Sequence, residues 1–175
     1  KYGNDDDYAD DIMVSVFNEY KDYITGRPTT RGGVYHVDML PTTCHVYFGD
    51  VMIATPNGRL AHNPLSEGIS PEKGADINGP TAVVKSCSKM NHCETGGTLL
   101  NQKFTPAAIA GEKGIDNLAA LIRSYFAMNG HHMQFNVIDR QTLIEAQKNP
   151  EEYKELIVRV AGYSALFTTL SRSLQ

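Results

Sequence analysis

No run of apolar residues in this chain approaches the roughly 20 needed for a bilayer-spanning helix. No charged start leads into an apolar stretch of the kind that directs secretion. A membrane role is therefore not expected, and the expected setting is the cytoplasm. Cysteine is scarce: Cys44, Cys87 and Cys93 are an odd number at irregular spacing, which argues against a disulfide framework and reads as reduced thiols. Positive charge is short as well, with 16 Lys and Arg against 20 Asp and Glu and an isoelectric point near 5.8. Without a basic patch interleaved with aromatics, nucleic-acid binding is set aside. Neither a Walker lysine (GKS or GKT) nor a GxGxxG is present, so phosphate-loop and dinucleotide chemistry have no support. His92 and Cys93 near Cys87, and the adjacent His131 and His132, do not make the two short-spaced pairs of a structural zinc site, and no metal is expected.

What is present is an ordinary globular composition, 41% hydrophobic and 21% charged over 175 residues, enough for a substantial core. Ile12, Met13, Val16, Phe17, Tyr20 and Ile24 recur at helical spacing after an acidic start, with Gly26 and Pro28 as a stop. Asp5, Asp6 and Asp7 read as the solvated start of that helix. Residues 34–54, rich in Val, Tyr, Phe and Ile, predict short strands, followed by a tight turn at "TPNGR". Residues 61–80 are too punctuated by Pro and Gly for a regular element and predict a long ordered loop. "TAVVKSCSKM" is expected to begin extended and become helical, and "GGTLLNQKF" to hold a strand. "IDNLAALIRSYFAMNG" predicts a helix capped by Asp116 and ended by Gly130. "HHMQFNVI" alternates, with Met133, Phe135 and Val137 on one face and His132, Gln134 and Asn136 on the other. That polar face is either a hydrogen-bonding surface or a cavity wall. Asp139 starts a further helix that Asn149 and Pro150 end, and "LIVRV" predicts a short buried strand leading to Gly162, with a helix after it. Helices alternating with strands predict an α/β crossover arrangement. The chain begins at Lys1 and stops at "LSRSLQ", within a helical pattern, which reads as a piece of a longer polypeptide.

At "RVAGY", Arg159 to Tyr163, the chain resembles the signature of the glycyl radical enzymes, the family of pyruvate formate-lyase and the radical dehydratases and C-X lyases. "TPNGR", "PLSEGISP", "GPTAVVKS", "GTLLNQKF", "HHMQFNVIDRQTL" and "NPEEYKELIVRVAGYSALF" extend the likeness from about Arg31 to the end, in the dehydratase branch. Pyruvate formate-lyase itself differs, with serine where Ala161 stands. The resemblance implies an α/β fold, the C-terminal part of a glycyl radical enzyme α/β barrel with its radical loop: residues 1–30 a helical lead-in, 31–150 barrel strands, loops and helices, and 151–175 the radical loop and a following helix. It also implies that Gly162 stores a radical, shared between an electron-withdrawing carbonyl and an electron-donating amide nitrogen, for which a planar Cα without a side chain is required. Arg159, Val160, Ala161, Tyr163 and Ser164 complete the loop motif, and His132, Gln134 and Asn136 are candidates to face a cavity.

The apolar flanks Val158, Val160, Ala161, Leu166 and Phe167 lead us to expect a buried loop tip that must leave its pocket for activation. The resemblance further implies no bound cofactor but a separate activating enzyme using S-adenosylmethionine and an iron-sulfur cluster, a small-molecule substrate, a homodimer and anaerobic metabolism. In the dehydratase branch the thiyl cysteine is followed two residues later by glutamate. Here Cys44, Cys87 and Cys93 are followed by Val46, Lys89 and Thr95, so that cysteine is expected outside this chain. Members of the branch act on glycerol, propane-1,2-diol, choline, hydroxyproline or isethionate, and this chain looks nearest to the hydroxyproline or propanediol dehydratases. Two competing readings stay open: a non-catalytic radical carrier that replaces an oxygen-damaged domain, and a structural relative that keeps Gly162 only for its turn.

Overall fold

A computed structural model describes residues 1–175. Helix α1 (Asp7–Ile24) forms where the periodic stripe predicts it, and Thr25 with Gly26 at φ +82° ends it. Phe17 is buried while Ile12, Val16 and Tyr20 stay exposed, so the apolar stripe is wider than the face this chain covers. Residues 34–54 depart from expectation. Instead of strands the segment contributes helix α2 (Cys44–Val51) and isolated bridges at Pro28–Val34 and Met39–Thr98. Pro41 followed by Thr42 and Thr43 at positive φ (43° and 70°) turns the chain into the helix. Val46 and Gly49, spaced three apart, are its buried positions, and a Cβ at Gly49 would lie 2.3 Å from the Asn63 carbonyl oxygen. β-branched and aromatic content was the wrong guide here, because such residues serve either state once one face is packed.

"TPNGR" makes its turn, with Gly58 N–H on the Thr55 carbonyl at 3.0 Å. The stretch 61–78 holds neither helix nor strand. Helix α3 (Gly79–Ser88) is helical from its start, with Pro80 in the first turn where its missing N–H is harmless. Strand β1 (Asn101–Phe104) then crosses through helix α4 (Gly111–Ala127) to the parallel strand β2 (Gln134–Val137), pairing Asn101 with Gln134 and Phe104 with Val137. This is the α/β crossover that the alternation predicts. α4 starts at Gly111 rather than at Asp116, and Gly114 allows it, since a Cβ there would strike the Ile109 backbone at 2.4 Å. At the other end Asn129 takes the positive φ of 65°, while Gly130 leaves room for the Tyr125 ring, 2.4 Å from where its Cβ would stand.

Helix α5 (Arg140–Lys148) follows Asp139, whose side chain makes no capping bond. The last segment corrects two expectations. Strand β3 (Ile157–Arg159) is not buried, and the residues after Gly162 form an antiparallel strand β4 (Ser164–Leu166), not a helix, followed only by a short 3-10 turn at Phe167–Thr169. The reversal at Ala161–Gly162 returns the chain alongside itself, and hairpin pairing satisfies backbone groups that a helix would otherwise have satisfied locally.

The core gathers Phe17, Val37, Val84, Cys87, Leu100 and Tyr125 between α1, α3, α4 and β1. No helix is long and apolar enough to cross a membrane. The chain exposes 10926 Å², against about 8,500 Å² expected for a compact monomer of its mass.

Candidate functional site

The site is the Ala161–Gly162 reversal at the tip of the β3–β4 hairpin. Val160 N–H donates to the Tyr163 carbonyl at 2.8 Å, and of the two central residues only Gly162 has positive φ, +73°, a conformation that glycine adopts without steric cost. Crowding does not require the glycine: a Cβ at Gly162 would meet nothing within 4 Å. Conformation alone accounts for about 1 kcal/mol of preference over alanine.

Side-chain amides surround the turn. Gly162 N–H donates to Gln134 Oε1 at 3.2 Å, and Gln134 Nε2 donates to the Val160 carbonyl at 2.7 Å. Asn101 Nδ2 reaches the same carbonyl at 3.2 Å. Asn136 accepts from Arg159 N–H at 2.8 Å and donates to the Arg159 carbonyl at 2.7 Å. The Arg159 guanidinium folds back over the turn, donating from Nη2 to the Gly162 carbonyl at 2.9 Å and from Nη1 to Ser164 Oγ at 3.3 Å. Behind Gln134, its Nε2 also donates to Asn101 Oδ1, and Asn101 Nδ2 donates to Glu67 Oε2.

The structure thus brings Arg159, Val160, Gly162, Ser164, Gln134 and Asn136 together. Tyr163 sits exposed at the turn, and the buried residue of the motif is Ala161. Gly162 itself is exposed in this chain, contrary to the expected buried tip, because no segment within the 175 residues covers the open side of the hairpin. Of the polar face of β2, Gln134 is buried against the turn, and Asn136 both binds Arg159 and lines a cavity of about 260 Å³ with His45, Glu67, Lys103 and Arg159. His132 makes no bond to the turn. Its pKa is lowered by burial first and then by the charges of Arg159 and His131.

Sequence reasoning missed Asn101 and Glu67 as site residues. Both lie in quoted blocks, "GTLLNQKF" and "PLSEGISP", but no spacing rule connects positions 67, 101, 134 and 162. Burial pushes the Glu67 carboxyl up to about 7, opposed by the bond from Asn101, and its Oε1 is buried without a partner. None of the three cysteines lines the cavity beside the turn. Cys44 and Cys93 are exposed, and burial pushes the Cys87 thiol up to about 12, with Tyr2 opposing and Asp10 reinforcing the shift.

Comparison with known proteins places this geometry. The chain is 68% identical, over its whole length, to the trans-4-hydroxy-L-proline dehydratase of Clostridioides difficile, of which it covers 22%. It is 46% identical over 99% of its length to the isethionate sulfite-lyase of Oleidesulfovibrio alaskensis, of which it covers 21%. The crystal structure of the C. difficile hydroxyproline dehydratase with trans-4-hydroxy-L-proline bound superposes with a TM-score of 0.96 over 99% of this chain and 22% of that one. The chain therefore spans about a fifth of the length of the relatives it matches. Residues 1–49 match the pyruvate formate lyase-like family. With residues 65–168, which include the whole hairpin and the amides that hold it, matching the glycine radical family, the chain belongs to the glycine radical family.

Proposed function

We propose that this chain is the carboxyl-terminal, radical-storing region of a glycyl radical dehydratase, and that Gly162 is the storage residue. The observation that carries the reading is the treatment of the two groups flanking the Gly162 Cα: its N–H rests on Gln134 Oε1 at 3.2 Å and its carbonyl accepts from Arg159 at 2.9 Å. A Cα radical is stabilised when the donor nitrogen and acceptor carbonyl share one plane with it, and these contacts hold both peptide groups.

The proposed steps balance as hydrogen-atom transfers. An activating enzyme that uses S-adenosylmethionine and an iron-sulfur cluster removes one hydrogen atom from the Gly162 Cα. A cysteine thiol elsewhere in the full-length enzyme then gives its hydrogen atom to Gly162, which restores the glycine and leaves a thiyl radical. The thiyl takes a hydrogen atom from the substrate, the substrate radical loses water, and the cysteine thiol returns its hydrogen atom to the product radical, which regenerates the thiyl to take a hydrogen atom back from Gly162. No cysteine of this chain fits that role: Cys44, Cys87 and Cys93 are followed two positions on by Val46, Lys89 and Thr95 and not by a glutamate. On its own, then, the chain is not expected to turn over substrate.

The surface in excess of a compact monomer, with Ile53, Ile77 and Ile157 exposed, supports a region whose apolar faces and glycine turn are covered in the full-length enzyme. Homodimeric assembly and a cytoplasmic, anaerobic setting come with the same resemblance. For the substrate, the 68% identity to a relative named for hydroxyproline, against 46% to one named for a sulfite elimination, favours dehydration of a hydroxyproline-type molecule.

Electron paramagnetic resonance of the anaerobically activated full-length enzyme tests the reading. A doublet from the single remaining Cα hydrogen is expected in the wild type and lost in Gly162→Ala. A folded wild type that gives no doublet with a competent activating enzyme returns Gly162 to a purely conformational role, worth about 1 kcal/mol.

A further inference from the structure

The β3–β4 hairpin shares no backbone ladder with the β1–β2 sheet. Side-chain amides take the ladder's place. Asn136 offers its carbonyl oxygen and NH2 to the backbone of Arg159, as a peptide unit of a neighbouring strand would. Gln134, two residues earlier on the same face of β2, spans the turn from the Val160 carbonyl to the Gly162 N–H. From Gln134 the bonds run inward to Asn101 and end on Glu67.

The direction of this chain of bonds is determined at both ends. The Gly162 N–H can only donate, and at the inner end the Asn101 NH2 donates to Glu67 Oε2. Each amide between them donates to the next oxygen inward, so the dipoles align and reinforce one another.

The geometry points to Gln134, Asn101 and Glu67 as a hydrogen-bond relay that docks the glycine turn and raises electron density on the Gly162 nitrogen. The inference rests on Gly162 being the radical site. A donating N–H leaves its nitrogen richer in electrons, the donor half of the stabilising pair, while Arg159 draws on the carbonyl half. All three relay members are positioning residues that act through the backbone of the turn. Because the bonds are to side chains, the hairpin leaves its seat without dismantling a sheet, and each bond shifts the docked population by roughly two- to tenfold.

The test uses the full-length enzyme with Gln134→Leu and, separately, Glu67→Gln. Hydrogen exchange is read over residues 157–166, and the nitrogen hyperfine coupling of the radical is read with isotope-labelled glycine. Gln134→Leu is expected to speed exchange of the Gly162 amide by about tenfold and to reduce the nitrogen coupling. Glu67→Gln keeps the side-chain shape but ends the relay on a group that also donates, and is expected to move both readouts in the same direction by less. The coupling is the readout that a merely structural role would not move. Should Gln134→Leu fail to fold, Glu67→Gln decides alone. Unchanged exchange and coupling beside a wild-type doublet overturn the relay and leave Gly162 as the radical site. A folded wild type with no doublet overturns the underlying reading and the relay with it.

Discussion

The interior around Tyr125 and the β3–β4 hairpin are held by opposite means. Tyr125, Leu100 and Cys87 have no exposed surface, and the Tyr125 ring stands edge-on to His92 at 5.9 Å and over Gly130. Such close packing resists any change of volume. The hairpin leaves Ile157 and Leu166 exposed and is fastened by the amides of Asn101, Gln134 and Asn136 and by Arg159. Packing suits a scaffold that never moves, whereas a few directional bonds suit an element that must be placed accurately and still be released.

The comparison breaks most plainly at Leu100. Leu100→Ala in the full-length protein is expected to cost about 2–5 kcal/mol through lost burial and the cavity left behind, read as a lower denaturant midpoint. A loss well under 1 kcal/mol would mean that this interior is no more fixed than the hairpin. Asn136→Ala sharpens the other side. It removes both bonds to Arg159, and a loss of about 1–3 kcal/mol should show as faster hydrogen exchange confined to residues 157–166, with the exchange of α4 unchanged. If α4 loosens equally, the hairpin is part of the core's cooperative unit and not a separately docked element.

The smallest effect is a pH dependence at Glu67. Its carboxyl is raised by burial from 4.5 to about 7, so between those values the native state holds a proton that the opened segment has released. Stability therefore falls as pH rises through that window and levels off above it. Ionisation strengthens the bond from Asn101, but the shift is upward because desolvation outweighs that bond. Protection of residues 65–70, corrected for intrinsic exchange, should decline from pH 5 to pH 8 in the wild type and stay flat in Glu67→Gln. A flat wild-type profile would place the carboxyl in contact with water.

Elements whose cause is local were legible in the sequence. The period of α1 and α4, the "TPNGR" turn, the long ordered loop before Gly79 and the crossover from β1 to β2 follow from spacing and from Gly and Pro placement. Where the cause is a distant neighbour, the reading failed. The segment of α2 is helical because Gly49 packs against Asn63 and Pro64, and β4 is a strand because Arg159 and Val158 lie beside it. Gln134 and Asn136 were visible as one polar face of a strand, but Asn101 and Glu67 joined them only through contacts spanning 33 and 34 residues.

By itself the sequence determined the family signature at Arg159 to Tyr163, a glycine where the turn needs positive φ, and the absence of a cysteine with its glutamate two positions on. Only the tertiary structure decided what holds that glycine, because a hydrogen bond reports proximity and angle, which side chains acquire from the fold and not from their order in the chain. It also decided that the glycine is open to solvent within these residues, since burial is a property of whatever else is packed alongside.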